Sequence, residues 1–288
     1  MNYRHLFHAG NFADVVKHVV IVGLIASLLR KDKPFCFLDT HAGKGYYDLM
    51  SEIAQKNKEH KDGIMKILSQ ENPPGLIKRY LGSIQKINSR LSESRFASMR
   101  FYPGSPFIVR PFLRPGDRII ATELHPQEYQ ALKKACDYDR QISTHQMDGY
   151  LGLKAFLPPK ERRGLVLIDP PYENPDEFRH LIKALTVALK RWETGIYAIW
   201  YPIKERTLVD QFHHALKETV KKEIMIVELS IYPEDVPSHL NGCGMAIINP
   251  PWKFDQEMNN VIPWLWKVLN IGHKGAHRVY QLNPPTGS

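Results

Sequence analysis

The stretch "GLVLIDPPYENP" (residues 164–175) joins an apolar run to an acid, two prolines and an aromatic. Leu165 to Ile168 is continuous and rich in branched residues, which suits a strand covered on both faces of a parallel sheet. Pro170 and Pro171 end it, because proline has no N–H for a ladder, and Pro170 biases Asp169 toward extended backbone. Such a turn presents a carboxylate, carbonyls that no ladder consumes, and the flat face of Tyr172. These are acceptors for an amino group and a platform for a planar ring. A plain strand-ending turn with a capping acid has the same composition, so the rest of the chain decides.

A second stretch, "PFCFLDTHAGKGYYD", ends an apolar run at Asp39 and continues through His41 into Gly43-Lys44-Gly45, with a helix expected next. Strand, glycine turn and helix cradle a nucleotide-like cofactor. The third glycine of G-x-G-x-x-G is missing, as is G-x-x-x-x-G-K-[ST], which disfavours NAD and a phosphate-gripping loop. A cofactor without phosphates fits better. S-adenosylmethionine has a ribose diol for an acid such as Glu123, a cationic methionine end, and an adenine to be sandwiched.

These residues need a frame. Apolar runs at "FCFL", "RIIAT" before Glu123, Ile142, "LVLI", "GIYAIWY", "EIMIVELSIY" and "GMAIIN" give about seven strands, with helical patterns between the early ones. The alternation predicts an α/β, doubly wound sheet whose ligands collect beyond the C-terminal strand ends, placing Asp39, Glu123 and Asp169 on one rim. Asn11 is expected to cap a helix from Phe12, with Asp14 in its first turn, Lys17 and His18 on it, and "VVIVGLIASLL" as its buried stripe. Residues 49–100 are charged, helix-prone and broken at "ENPPG", and read as a helical insertion between 1–48 and 101–288. "PEDVPSHLNGCG" joins the last two strands without a helix, which permits an antiparallel pair. Asn249-Pro250-Pro251-Trp252 is a second possible acceptor turn. An antiparallel last strand would carry it to the opposite edge, leaving a strand terminator with a packed Trp.

The 288 residues are 43% hydrophobic and 24% charged, the composition of an ordinary soluble protein. A formal net charge of +9 favours a polyanionic partner. Three separated cysteines and the absence of H-E-x-x-H argue against a disulfide scaffold or a zinc centre, so no metal is expected. The polar start is unlike a signal peptide and no run is long enough to span a bilayer, which fits a cytoplasmic protein without a membrane partner.

Glycine turn followed by D-P-P-Y resembles the amino-group methyltransferases of the class I Rossmann-like fold. More closely, "YRHLFHAGNFADVVKH", "LDTHAGKGYY", "YPGSP", "TELHP", "MDGY", "RRGLVLIDPPYE", "GIYAIWYP" and "INPPWK" resemble the RlmJ family nearly end to end, helical insertion included. The resemblance implies transfer of a methyl group from S-adenosylmethionine to the N6 amino group of an adenine in 23S ribosomal RNA, and the RNA is expected to be free of ribosomal proteins, although the sequence does not separate naked RNA from an assembly intermediate. It implies cofactor contacts at His18, His41, Ser105, Glu123, Asp148, Gly149 and Asp169, beside Gly43 and Gly45 of the glycine turn. Asp169 is also the implied catalytic position, and Tyr3 an implied contact to the RNA. Lys44 departs from the small residue of the family pattern, while both flanking glycines remain.

On this reading the Asp169 carboxylate and Pro170 carbonyl take the two N6 hydrogens, and Tyr172 stacks on the base. Phosphate grip is expected from Arg4, His5 and His8 and from Lys160, Arg162 and Arg163. A DNA adenine-N6 methyltransferase and a nucleic-acid-binding accessory in the use of external DNA stay open. A protein-glutamine methyltransferase would typically carry Asn at position 169. A monomer is expected.

Overall fold

The computed structural model describes residues 5–91, 99–233, 236 and 240–283, with only the backbone of His5. Tyr3 and Arg4 lie outside the described residues. Among the described residues ten strands occur: β1 Cys36–Asp39, β2 Tyr46–Asp48, β3 Phe101–Pro103, β4 Arg118–Glu123, β5 Ile142–Gln146, β6 Gly164–Ile168, β7 Ile196–Ile203, β8 Ile224–Ser230, β9 Gly242–Ile248 and β10 His277–Asn283. The helices are α1 Phe12–Leu28, α2 Glu52–Asn57, α3 Ile64–Leu68, α4 Gly75–Leu91, α5 Ser105–Val109, α6 Pro126–Ala135, α7 Gly149–Phe156, α8 Glu177–Arg191, α9 Arg206–Thr219 and α10 Phe254–Leu269.

Eight strands form one sheet in the order β10-β8-β9-β7-β6-β1-β4-β5. The β7-β6-β1-β4-β5 run is parallel. As the long connector suggested, β9 is antiparallel to both β7 and β8. The eighth strand, β10, pairs antiparallel with β8 and corrects the expected count of about seven. A second correction concerns the glycine turn, which leads into β2 rather than a helix. There Tyr46–Asp48 pair antiparallel with Phe101–Pro103, drawing the two ends of the intervening segment together.

Strand side chains alternate between two buried layers. Phe37, Leu165 and Leu167 join the layer formed with α1, α4 and α10, whereas Leu38, Val166 and Ile168 face α7, α8 and α9. Ile64, Ile67, Ile77 and Tyr80, from the segment between β2 and β3, share the first layer. Helix α1 is therefore buried on nearly every side rather than along one stripe. The Asn11 side chain caps it as expected, accepting from the Asp14 N–H at 2.9 Å.

Among the described residues no helix is long and apolar enough to cross a membrane. In the same residues no group of three or more His, Cys, Asp or Glu could hold a metal ion.

Candidate active site

Parallel pairing aligns the C-terminal ends of β1, β4 and β6, and a cleft of about 300 Å³ opens above them, within the usual small-molecule range of roughly 300–1,000 Å³. Glu123, ending β4, and Asp169-Pro170-Pro171-Tyr172, following β6, line it with His18, His41, Gly43, Ser105, Asp148 and Gly149. Asp39 lies beneath the cleft, fully buried. Gly45 supports the turn from behind: it has φ +94°, and its carbonyl accepts from the Gly104 N–H at 2.7 Å.

The glycine-turn side of the cleft is built on backbone. Gly43 has φ +61°, and its N–H donates to Glu123 Oε2 at 2.9 Å, while the His125 N–H donates to Oε1 at 2.7 Å. Burial raises the Glu123 pKa against these two bonds. Asp148 caps α7 by accepting from the Leu151 N–H at 2.9 Å. Lys44 lies over the Tyr47 ring at 5.2 Å. A Cβ on Gly149 would stand 2.2 Å from the Thr40 carbonyl oxygen. Gly149→Ala is expected to destabilise the fold by about 1–3 kcal/mol, read as a lower urea midpoint; an unchanged midpoint would show that this contact relaxes.

Two features fit S-adenosylmethionine. His125 Nδ1 is buried in the cleft wall without a hydrogen-bond partner, so a polar ligand atom has a place there. Leu124, 49% exposed between Glu123 and His125, offers an apolar face to a flat base.

The neighbouring polar groups are locked in place. Ser105 Oγ donates to Asp39 Oδ2 at 2.5 Å and the His41 N–H to Oδ1 at 3.2 Å. Thr40 Oγ1 gives its proton to the Leu167 carbonyl and thus accepts from His41 Nδ1 at 2.8 Å, leaving Nε2 with a lone pair. Burial pushes the His41 pKa down to about 4, so the ring is neutral at pH 7. His18 Nδ1 is hydrogen-bonded to the Tyr102 hydroxyl at 2.8 Å, which meets the Tyr80 hydroxyl at 2.9 Å. Burial pushes the Asp39 carboxyl up to about 7, against the bonds from Ser105 and the His41 N–H. In the unfolded chain that proton leaves near pH 4, so its stabilisation is full below about pH 4 and lost as pH rises through about 7. The melting temperature of wild type minus that of Asp39→Asn is therefore expected to fall across this window; a pH-independent difference would contradict the assignment.

The decisive group missed in the sequence is Lys17. Its Nζ lies 2.6 Å from Asp169 Oδ2 and 2.9 Å from Asp14 Oδ1, with side-chain exposures of 6% for Lys17, 15% for Asp169 and 3% for Asp14. Burial lowers the Lys17 pKa, but the Asp14 and Asp169 charges outweigh it and hold the ammonium well above its ordinary range. Asp14 Oδ2 also accepts from the Gly10 N–H at 3.0 Å. Asp169 thus has one oxygen tethered on a fixed cation and the other left for a ligand. Only a one-turn D-V-V-K spacing was visible in sequence; the partner is 152 positions away.

Tyr172 adopts φ +51°, and its hydroxyl donates to the Trp200 carbonyl at 2.6 Å. Its ring packs on Phe178 and Trp200 with centroids 5.1 and 5.7 Å away, while still lining the cleft. His8 and Lys204 also line it.

Lys160, Arg162 and Arg163 are not brought to the cleft, because they precede β6 and so lie at the opposite sheet edge. Lys160 and Arg162 are exposed, but Arg163 donates to the carbonyls of Leu28 and Lys33. Asn249 shares that edge, with Nδ2 donating to the carbonyls of Glu193 and Gly195 at 2.9 and 2.7 Å. Trp252 is 76% exposed, which corrects the expectation that it packs.

A family model described as "Ribosomal RNA large subunit methyltransferase D, RlmJ" matches residues 32–282. A protein of Escherichia coli strain K12 named "Ribosomal RNA large subunit methyltransferase J" is 43% identical over 269 residues, 93% of this chain and 94% of its own. A protein of the same name from Haemophilus influenzae strain Rd is 40% identical over 284 residues, 99% of each chain. The solved structure of a Legionella pneumophila protein superposes with a TM-score of 0.85 at 37% identity, covering 95% of this chain and 98% of that one. With a class I methyltransferase fold and these matches over most of its length, the chain belongs to the RlmJ family.

Proposed function

We propose that this protein transfers a methyl group from S-adenosylmethionine to the N6 amino group of an adenine in 23S ribosomal RNA. The observation that carries the reading is Asp169 with Pro170, two acceptors on a stiff turn, in one cleft with Glu123 and the Gly43 turn. The names of the relatives, large-subunit ribosomal RNA methyltransferases, support the substrate class, and the net charge of +9 agrees with a polyanion.

Glu123, Gly43, Asp148, Gly149 and His125 would hold the nucleoside part of the cofactor, with His18, His41, Ser105 and Asp169 contacting the rest; Gly45 shapes the turn. When bound, S-adenosylmethionine supplies an electrophilic methyl on a sulfonium.

An exocyclic amine on adenine is a poor nucleophile, because its lone pair is delocalised into the ring. The Asp169 carboxylate and the Pro170 carbonyl would accept hydrogen bonds from its two N–H groups and hold it pyramidal, with the lone pair free to attack the methyl as the bond from that methyl to sulfur breaks; one amine proton would then leave by way of the Asp169 carboxylate to solvent. Lys17 fixes the Asp169 carboxylate, so this acceptor needs no reorganisation when charge develops. Reaction then depends on positioning more than on a strong base. Tyr172, tethered through Trp200, offers its ring edge or face to the base; stacking of this kind is worth about 1–3 kcal/mol, against the few kcal/mol needed to take a base out of its stack.

Tyr3 is assigned to the RNA by resemblance, and Arg4, Lys160 and Arg162 to its phosphates by their charge. Arg163 braces the end of α1 through its carbonyl contacts. Residues 49–100 are read as one inserted unit, and the protein as a cytoplasmic monomer acting on RNA free of ribosomal proteins.

The test is transfer of radiolabel from S-adenosylmethionine to protein-free large-subunit RNA, unmodified DNA or a protein extract. Label in RNA alone supports the reading. Label in DNA moves it to a DNA methyltransferase, and cofactor binding without transfer to any acceptor moves it to an accessory role.

A further inference from the structure

The edge of the sheet opposite the cleft carries a pattern wider than the Lys160 and Arg162 phosphate contacts proposed above. Tyr138 and Arg140 precede β5, Lys160 and Arg162 precede β6, and Trp252 and Lys253 follow β9, whose antiparallel course ends at the start of β7. All six side chains are exposed, Tyr138 at 96% and Trp252 at 76%. Neighbouring acids are partly neutralised: Arg110 holds Asp139, Arg114 holds Asp117 and Arg118 holds Glu161. The Lys253 ammonium lies 4.3 Å from the Trp252 ring centroid, so cation and aromatic are presented together. Tyr138 and Arg140 border a shallow cavity of about 350 Å³ whose charged lining is otherwise Arg90, Arg110, Asp137 and Asp139.

Three of these residues also share a backbone conformation. Tyr138 (φ +66°), Arg162 (φ +53°) and Lys253 (φ +62°) all occupy the left-handed region, which bulky residues ordinarily avoid. Strand spacing of about 4.8 Å puts β9 and β5, five steps apart, roughly 24 Å from one another. Two exposed rings thus bracket a row of cations.

We propose that this edge is a second RNA-contact face, which binds a single-stranded segment of the substrate RNA. Bases stack on Tyr138 and Trp252, while Arg140, Lys160, Arg162 and Lys253 meet the phosphates. An exposed ring takes up a base only where that base is unstacked, which selects single-stranded RNA over a duplex. The inference rests on RNA being the substrate, and its test is separate from turnover.

The full chain is titrated by fluorescence anisotropy with a labelled single-stranded oligouridylate, and the complex is cross-linked by ultraviolet light and mapped by mass spectrometry. Tyr138→Ala and Trp252→Ala are each expected to weaken binding by about five-fold or more, Tyr138→Phe to retain it, and Arg162→Gln to reduce the salt slope by about one. Cross-links should map to peptides containing Tyr138 or Trp252. On a short RNA hairpin holding only the reacting adenine, both alanine variants should keep wild-type kcat. Wild-type affinity in both alanine variants, or cross-links confined to the cleft, would overturn the proposal. So would self-association, in the absence of RNA, that Trp252→Ala abolishes, since the edge would then serve a second copy. Absence of methyl transfer with these binding effects intact would count against the enzymatic reading alone.

Discussion

Asp169→Asn is expected to lower kcat for methyl transfer by about 10²–10³-fold, the usual cost of removing one oriented polar group from a transition state. The substitution preserves shape, so the effect isolates charge and donor pattern. The Asn oxygen would turn toward the Lys17 ammonium, which sits 2.6 Å from the present carboxylate oxygen. Its NH₂ would then face the substrate amine, setting donor against donor. Single-turnover kinetics on saturating RNA measures the effect without interference from product release. A kcat within about two-fold of wild type would mean that the amine is held by other acceptors.

Lys17→Met is the second large expectation. It leaves the Asp14 and Asp169 carboxylates, with side chains 3% and 15% exposed, without the cation between them. Removing one partner from a buried ionic group costs about 3–5 kcal/mol, to be read from urea unfolding, and transfer activity should be lost with it. Adding Asp14→Asn to this variant removes one of the two stranded charges. Part of the stability should return, while activity should not, because Asp169 would still lack its tether. An unchanged unfolding midpoint in Lys17→Met would show that water replaces the ammonium at no cost.

The parts of this site that could be read from sequence are those written in consecutive residues. The apolar run to Ile168 and the prolines after it define the end of β6, and the run to Asp39 with two glycines defines the turn beside Glu123. The missing helix after that turn has a simple cause: Tyr46 and Tyr47 find a strand partner in Phe101 to Pro103, across a segment whose length conceals the pairing. β10 escaped because an edge strand buries little; His277 and Arg278 are exposed and only Val279, Tyr280, Leu282 and Asn283 are half-buried. Lys17 escaped for a different reason. A charged residue within an apolar helix reads as a surface position until the fold shows α1 enclosed on nearly all sides. The alternation that predicts a helix carries no record of what covers it.

Trp252 teaches the converse. Its motif repeats the chemistry of the Asp169 turn in local sequence, yet β9 runs antiparallel to β7 and delivers it to the other edge. Strand direction, which no single motif encodes, separates the two turns.

Transfer to an exocyclic amine is tested by nucleoside analysis by mass spectrometry of protein-free 23S ribosomal RNA after incubation with the protein and S-adenosylmethionine, beside the Asp169→Asn variant. A gain of N6-methyladenosine that the variant does not produce is expected. Methylation at a ring carbon or ring nitrogen, or an equal gain with Asp169→Asn, would contradict the assignment of Asp169 and Pro170 to an exocyclic amine.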